Sequence, residues 1–408
     1  MEVLYPRCAG LDVHKDNVVA RIRCVCEPLH DEVRTFATTT SELLQLNEWL
    51  SSHAVTHVAM EATGVYWKPV WHLLEGDFEL ILANAQHIRN VPGRKTDVSD
   101  AGWIADLLAH GLIRSSFVPP EPIQELRDLT RTRKQLVREI SQHSSRIQKV
   151  LEDANLKLGS VLADVLGKSG RAILQALIDG ESDPEKLADL AQGHARKKRA
   201  ALVEALHGRI RNPHRGLLKV HLDLVTALHH GLAELDATVG KALASIQEGA
   251  RLLSTIPGVS DVTAHVIVAE IGLDMTRFAT DAHLRSWAGF CPRNDESAGK
   301  RRSTRVRKGA PWLKTTLITA AWAAVRVKDS YLQAQFHRLR ARRGAKKAIL
   351  AVASSMLTAA YHMLKNAVEY KDLGAGHFAR RDRGKLIQRL VRRINDLGCQ
   401  VQLTPMAA

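Results

Sequence analysis

Four acids and one serine in this chain have the types and spacing for phosphate chemistry. Asp12 interrupts the apolar run CAGLDV, between Leu11 and Val13. Glu61 closes a second apolar run, HVAMEA. Asp97 and Asp100 follow a Pro-Gly turn and two cations, Arg94 and Lys95, in VPGRKTDVSD. Carboxylates suit Mg²⁺, a hard ion that takes oxygen ligands. Two such ions about 4 Å apart can stabilise the attacking and leaving oxygens of an in-line phosphoryl displacement. Each acid also has a plainer reading. Asp12 and Glu61 can be strand-end residues facing water. Asp97 and Asp100, on one side of a helix at i, i+3, can cap its first turn. Asp106, nine residues after Asp97, is an alternative member of the set, further down the same helix.

The serine is Ser297, in the small-residue loop NDESAGKRRST beside many cations. A serine hydroxyl is a weak nucleophile until a base, a metal or a polarised phosphate activates it. Ser303 is a second candidate by composition, and either serine can be an ordinary loop or capping residue. Between Lys300 and Lys347 stand 15 Lys/Arg against one acid, Asp329, a density that attracts phosphates at long range. Lys300, Arg301, Arg302, Arg305, Arg307 and Lys308 open this stretch. Trp287, Trp312 and Trp322 lie near it, and we expect them in cores rather than stacked on bases.

The acids need elements to bring them together. CAGLDV and VVARIRCVC read as strands around the turn HKDN, and EVRTFATTT as a third strand, close enough in sequence to pair antiparallel. SELLQLNEWLSSH is a Ser-capped helix, HVAMEA a short strand, VYWKPVWHLLEG a helix and FELILANA a strand. DVSDAGWIADLLAHG then reads as a helix closed by Gly111. A meander feeding alternating strand and helix units implies a mixed sheet carrying helices. An acid on the first strand, one on the fourth and acids on the last helix is the layout of the ribonuclease-H-like fold, and the pattern resembles a RuvC-like nuclease domain.

After the break VPPEPIQ, residues 121–155 read as one long helix, with Leu126, Ile140 and Ile147 in one heptad phase and Leu129, Leu136 and Val150 in its partner. Arg133 and His143 interrupt the seam. Residues 214–248 read as a second long helix, with Leu218, Val225, Leu232, Val239 and Ile246 every seven residues. The pair could form an antiparallel hairpin or an oligomerisation element. LLSTIPGVSDVTAHVIVAEIG resembles a helix-hairpin-helix, whose backbone N–H groups can grip a phosphate; an ordinary helical corner fits as well. Helices are predicted at about 312–327 and 330–366, and a loosely ordered basic tail after Gly374.

Bulk properties bound the partners. The 408 residues suffice for two or three domains. The net charge is +15, and it is uneven. Residues 1–120 hold 10 Lys/Arg against 15 Asp/Glu, so the remainder carries the whole positive excess. That asymmetry predicts a polyanionic partner held by the later part of the chain. No run of about 18 apolar residues predicts a membrane span, and the amino terminus lacks the pattern of a secretory signal, so a cytoplasmic protein is expected, nucleoid-associated when on DNA. Five scattered cysteines form no disulfide framework. Cys24 and Cys26 mimic half a zinc site, but no second Cys/His pair follows at suitable spacing, and they read as same-face strand residues.

Long ordered motifs carry a resemblance. GLDVHKD, MEATGVYWKPVW, VPGRKTDVSDAGWIADLLAHGLI and SSFVPP resemble the amino-terminal domain of the DEDD transposases of the insertion-sequence-110 family. LSTIPGVSDVTAHVIVAEIG, RFATDAHLRSWAGFCPRNDESAGKRRST and KKAILAVASSMLTAAYHML resemble its carboxy-terminal transposase domain. The resemblance covers about residues 8–120 and 250–366. It implies four parts: a RuvC-like DEDD catalytic domain at 1–120, a helical coiled-coil region at 121–249, a transposase domain at 250–370, and a basic tail at 371–408.

It further implies a bacterial DNA recombinase that excises and integrates its own element. The DEDD set falls on Asp12, Glu61, Asp97 and Asp100, with Mg²⁺ as cofactor. The family's catalytic serine falls on Ser297, within GFCPRNDESAG, where this chain has Ser-Ala-Gly in place of Ser-Gly, and it implies a phosphoserine intermediate. Implied partners are DNA, a structured non-coding bridge RNA that guides target choice, and further copies of the chain, as a dimer or tetramer in which acids and serine come from different protomers; no membrane is implied. Arg94, Lys95 and the cations from Lys300 to Lys308 are expected nucleic-acid contacts. Two other readings stay open: a RuvC-like structure-selective endonuclease, needing the acids but not Ser297, and a non-catalytic nucleic-acid-binding protein.

Overall fold

The computed structural model describes residues 2–25, 30–62, 64–85, 88, 100–242, 246–293, 295–303, 305–381 and 383–403. The chain divides into two compact units, Met1–Val118 and Pro119–Ala408.

The first unit is built on a five-stranded mixed sheet. Its strands are β1 (Arg7–Val13), β2 (Asn17–Cys24), β3 (His30–Ala37), β4 (His57–Glu61) and β5 (Glu79–Ala83), in the order β3-β2-β1-β4-β5. The expected meander accounts for the antiparallel β1–β2 and β2–β3 pairs. Helix α1 (Thr40–Ser52) then carries the chain across to β4, parallel to β1, and α2 (Trp67–Leu74) to β5, parallel to β4. Alternation along the strands gives the sheet two apolar faces. Leu11, Val13, Ile22, Val58 and Met60 join Leu46 and Leu50 of α1 and Val70 and Leu74 of α2 in one core. Cys8, Ala59 and Ala83 point the other way and meet Ile104, Leu107 and Leu108 of α3 (Asp100–Ala109) in a second. Gly111, with φ of +64°, ends the run after α3 as expected.

Among its described residues, the second unit is mainly helical, with one small hairpin. Two long helices, α4 (Glu121–Asp153) and α9 (Asn212–Ala242), pack antiparallel: Arg133 bonds Asp236 at 2.6 Å, His143 meets His221 at 3.1 Å, and Asp153 meets His214 at 3.0 Å. The polar residues that interrupt the heptads of α4 are therefore matched by polar residues on α9. Between these helices lie α5 (Leu158–Val161), α6 (Lys168–Asp179), α7 (Pro184–Asp189) and α8 (Arg199–Ala205), sharing a core with Ile147, Leu151, Leu218 and Val225.

Further helices include α10 (Gln247–Ser254), α11 (Asp261–Ile271), α12 (Asp281–Trp287), α13 (Pro311–Ala324), α14 (Tyr331–Arg343) and α15 (Ala345–Asn366). Four expectations differ from the structure. Ile246 is not a rung of the long helix: its φ of −124° is non-helical and it caps α10, buried in that unit's core. The helix predicted over 330–366 is broken at Gly344, whose φ of +78° an unstrained helix cannot hold. The tail carries two helices, α16 (His377–Arg381) and α17 (Arg383–Asn395). Helix α15 is long and apolar enough to cross a membrane by composition, but Ile349, Val352, Met356, Leu357 and Ala360 are buried against the unit's own helices. Trp322 is 41% exposed, so it is not the core residue expected.

Candidate active site

Strand register places the first two acids. In the parallel β1–β4 pair, Leu11 stands opposite Met60, the last rung of the ladder. Asp12 and Glu61 are the next residues on their strands, so they sit side by side on one face, about 4.8 Å apart along the hydrogen-bonding direction. That face is the one covered by α3, because Cys8 and Gly10 precede Asp12 at two-residue steps. Asp12 is one-fifth exposed and Glu61 half-buried. Both lie at the carboxyl ends of parallel strands.

Helix α3 runs antiparallel to β1 and brings its amino terminus to the same place. Ala109 accepts from the Leu4 and Tyr5 N–H groups at 2.8 and 3.1 Å. One step on, the Cys8 thiol donates to the Ala105 carbonyl oxygen at 3.7 Å. A β-carbon at Gly10 would stand 2.2 Å from the Ala101 oxygen and 2.4 Å from the Ala105 nitrogen. No residue but glycine tolerates such an approach. Two residues further along β1, Asp12 is carried to the end of α3 that Asp100 opens. Asp12, Glu61 and Asp100 thus come from three elements to one end of one sheet face.

Asp97, Arg94 and Lys95 lie outside the described residues. Asp106 is not part of the set: it sits along α3 in an ion pair with Arg23 of β2, which stands opposite Cys8 and away from Asp12. Arg21, opposite Gly10, packs against Gly102 and pairs with Asp31 through a bond of 2.6 Å from Nε. Among the described residues, Asp31 and Asp106 are thus engaged by arginines of β2 rather than by the strand-end acids.

His14 was not anticipated. Its Nε2 lies 3.1 Å from Asp12 Oδ2, on a ring 58% exposed. The Asp-x-His spacing puts both side chains on one face of the chain leaving β1, which is the signal that could have found it. Among the described residues, the three carboxylates offer the oxygen donors that suit a hard divalent ion. Asp12, Glu61 and Asp100 would hold it, with His14 against Asp12 Oδ2.

In the second unit, Asp295–Ser297 (β6) and Lys300–Ser303 (β7) form a hairpin, with Ser297 paired to Lys300. Its two-residue turn, Ala298–Gly299, has φ of +50° and +74°, both positive as a tight hairpin of native twist requires. Ser297 is therefore the last strand residue before the turn, and Ser303 lies at the far end of β7. Lys300, Arg305, Arg307 and Lys308 are exposed, and the backbone of Arg301 and Arg302 runs along β7. The loop after the hairpin is fixed by Lys314, which donates to the carbonyls of Gly289 and Arg307 at 2.9 and 3.0 Å. The Pro257–Gly258 corner between α10 and α11 packs closely on α13, a β-carbon at Gly258 falling 2.4 Å from the Ala324 nitrogen.

Residues 9–156 match a family model for DEDD transposases of the IS110 type, described as "Transposase", and residues 250–337 match one described as "Transposase IS116/IS110/IS902 family". Together the two matches span more than half of the chain. The chain is also similar to "Insertion element IS110 uncharacterized 43.6 kDa protein" of Streptomyces coelicolor (strain ATCC BAA-471 / A3(2) / M145), 27% identical over 303 residues, 69% of this chain and 73% of that one. The chain belongs to the IS110 family of transposases.

As an IS110-family transposase it is an enzyme acting on DNA, and its DEDD-type domain points to a divalent metal cation. The amino-terminal match takes in β1, β4, β5 and α3 and continues to the end of α4. The carboxy-terminal match takes in α10 to α13, the β6–β7 hairpin and part of α14.

Proposed function

We propose that this transposase excises and integrates its element by Mg²⁺-dependent strand cleavage and exchange through a phosphoserine intermediate on Ser297, guided by a structured non-coding RNA and acting as a homo-oligomer. The observation that carries the reading is the convergence of Asp12 and Glu61, adjacent in register, with Asp100 at the start of α3. Asp97 completes the acidic set of a RuvC-like domain. Bound Mg²⁺ would supply Lewis acidity at a phosphate oxygen. Asp12, Glu61 and Asp100 would hold the ion, and the close seat of α3 on Gly10 sets the spacing of their elements.

At the other unit, the Ser297 hydroxyl oxygen bonds to the scissile phosphorus as the bond from phosphorus to the departing deoxyribose oxygen breaks. The hydroxyl proton leaves to solvent or base, and the departing oxygen gains one. A hydroxyl of the exchange strand later attacks the same phosphorus and restores the serine. The tight turn presents Ser297 at the tip of a hairpin flanked by Lys300, Arg301, Arg302, Arg305, Arg307 and Lys308, which with Arg94 and Lys95 contact phosphates of DNA or RNA. The α4–α9 pair is read as the coiled-coil region, and α10–α11 as the helix-hairpin-helix-like element.

The test is adduct trapping on element-end DNA. The wild-type chain should yield a denaturation-resistant protein–DNA adduct that Ser297→Ala abolishes along with strand exchange. Nicking by Ser297→Ala at the wild-type rate, without adduct, would establish the hydrolytic endonuclease reading instead.

A further inference from the structure

We propose a second metal site on the opposite face of the catalytic sheet, in which His30, Glu32 and His53 bind a borderline transition ion, Zn²⁺ foremost. Strand β3 is the sheet's edge. His30 and Glu32 stand two residues apart on it, opposite Cys24 and Ile22 of β2, hence on the face that carries α1. His53 is the residue that ends α1. One ligand atom from each of the three lies within 4.8 Å of the others.

The atoms are arranged as a site rather than as a chain of hydrogen bonds. Both imidazoles aim Nε2 at one carboxylate oxygen: His30 lies 3.2 Å and His53 3.6 Å from Glu32 Oε2. Two donors each about 2.1 Å from an ion at the tetrahedral angle are about 3.4 Å apart, between those two separations. The other oxygen, Oε1, is taken by Arg34 Nε at 2.6 Å, so Oε2 alone is turned to the histidines. The rings of His30 and His53 stack at 5.0 Å with an interplanar angle of 15°.

The second observation is the support behind the ligands. His53 Nδ1 lies 2.8 Å from the Trp49 carbonyl oxygen. Donation there fixes the tautomer and leaves an Nε2 lone pair pointing at Glu32, the arrangement that metal-bound histidines show. Arg34 in turn lies over the Trp49 ring at 5.2 Å, which steadies the group holding Glu32. Two imidazoles and one carboxylate, with room for water because His30 is 46% exposed, form a donor set that suits Zn²⁺ and disfavours Mg²⁺. The site is separate from the hard-oxygen set at Asp12, which lies on the α3 face. Its ion would tie the end of α1 to the exposed edge strand.

The experiment uses the full chain without a histidine tag, stripped of metal and dialysed against Zn²⁺ at pH 7.5, with bound zinc counted by elemental analysis. Wild type, His53→Ala, His30→Gln and Asp12→Asn are compared, with folding checked by circular dichroism. His30→Gln changes a half-exposed strand-end residue and keeps the test open if His53→Ala unfolds. The site predicts that His30→Gln and His53→Ala each lose one zinc equivalent or weaken it at least 30-fold, while Asp12→Asn retains it. Equal zinc content in wild type and His30→Gln overturns the site, as does a wild-type chain that binds no zinc equivalent at 100 μM free Zn²⁺.

Discussion

Gly10 of β1 and Ala101 of α3 approach so closely that no side chain fits between them: an added β-carbon would stand 2.2 Å from the Ala101 oxygen. This contact sets where Asp100 lies relative to Asp12 and Glu61. Gly10→Ala should lift α3 from the sheet, costing about 2 kcal/mol or more, in the range of overpacked cores. Metal-dependent cleavage should fall further than stability alone explains. Urea denaturation and cleavage rates, measured on the same preparation at a temperature where the variant is folded, separate the two effects.

The turn beside Ser297 holds a residue ill suited to it. Ala298 has φ of +50°, a region that costs a residue with a β-carbon roughly 1–2 kcal/mol. Ala298→Gly should slow amide exchange across β6 and β7 by up to about tenfold and keep strand exchange. Ala298→Val should do the reverse, since a β-branched residue at positive φ opens the hairpin. Hydrogen exchange read at Lys300–Ser303 distinguishes them.

Glu270 is buried, 1% exposed, and accepts from Arg131 Nε and Nη2 at 2.8 and 2.9 Å, joining α11 to α4. Arg127, whose guanidinium burial pulls down to about 10, donates to the Ala269 and Glu270 carbonyls at 3.1 and 2.8 Å. Glu270→Ala should destabilise the second unit by about 3 kcal/mol, because it removes the anion beside the largely buried Arg127 and the partly buried Arg131. A Glu270→Met, Arg131→Met pair should cost less than Glu270→Ala alone. Chemical denaturation of the three variants checks the order.

Burial pushes the Cys8 thiol up from 9.0 to about 12. The unfolded chain therefore releases that proton between pH 9.0 and about 12 while the folded chain keeps it, and stability falls as pH rises through that window. The slope attributable to Cys8 approaches about 1.4 kcal/mol per pH unit. Cys8→Ala should flatten the alkaline limb of a stability–pH curve for the first unit. Below pH 9 its curve should run parallel to that of the wild type.

Much of the first unit was legible because its pattern is local. Alternation in CAGLDV and VVARIRCVC, the helical period of α1 and the apolar strand before Glu61 each signal their element within a few residues, although the helix is capped at Thr39 rather than at the serine expected, and the strand order follows from chain connectivity. What sequence could not show was the approach of α3 to Gly10, which depends on a contact nearly a hundred residues apart. His14 escaped notice because a turn residue has no periodicity, although its spacing from Asp12 was readable. His30, Glu32 and His53 are hidden for a further reason: two of them share a strand, whereas the third comes from the far end of a helix, at no spacing that marks a metal motif. In the second unit the heptads located both long helices but overran at Ile246. A hydrophobic repeat reports a buried face, and the face continues after the helix stops.

If Asp12, Glu61 and Asp100 hold the ion that cleavage requires, neutralising an acid must abolish cleavage without loosening DNA binding. This is read from cleavage of element-end DNA by Asp12→Asn and Glu61→Gln chains in the presence of Mg²⁺ or Mn²⁺, with DNA affinity measured in parallel. These substitutions keep side-chain size and remove the charge. The account predicts a loss of at least 1,000-fold in cleavage, on the order of 4 kcal/mol of transition-state stabilisation, with DNA affinity within a few-fold of wild type. Cleavage within tenfold of wild type by either folded variant would contradict it.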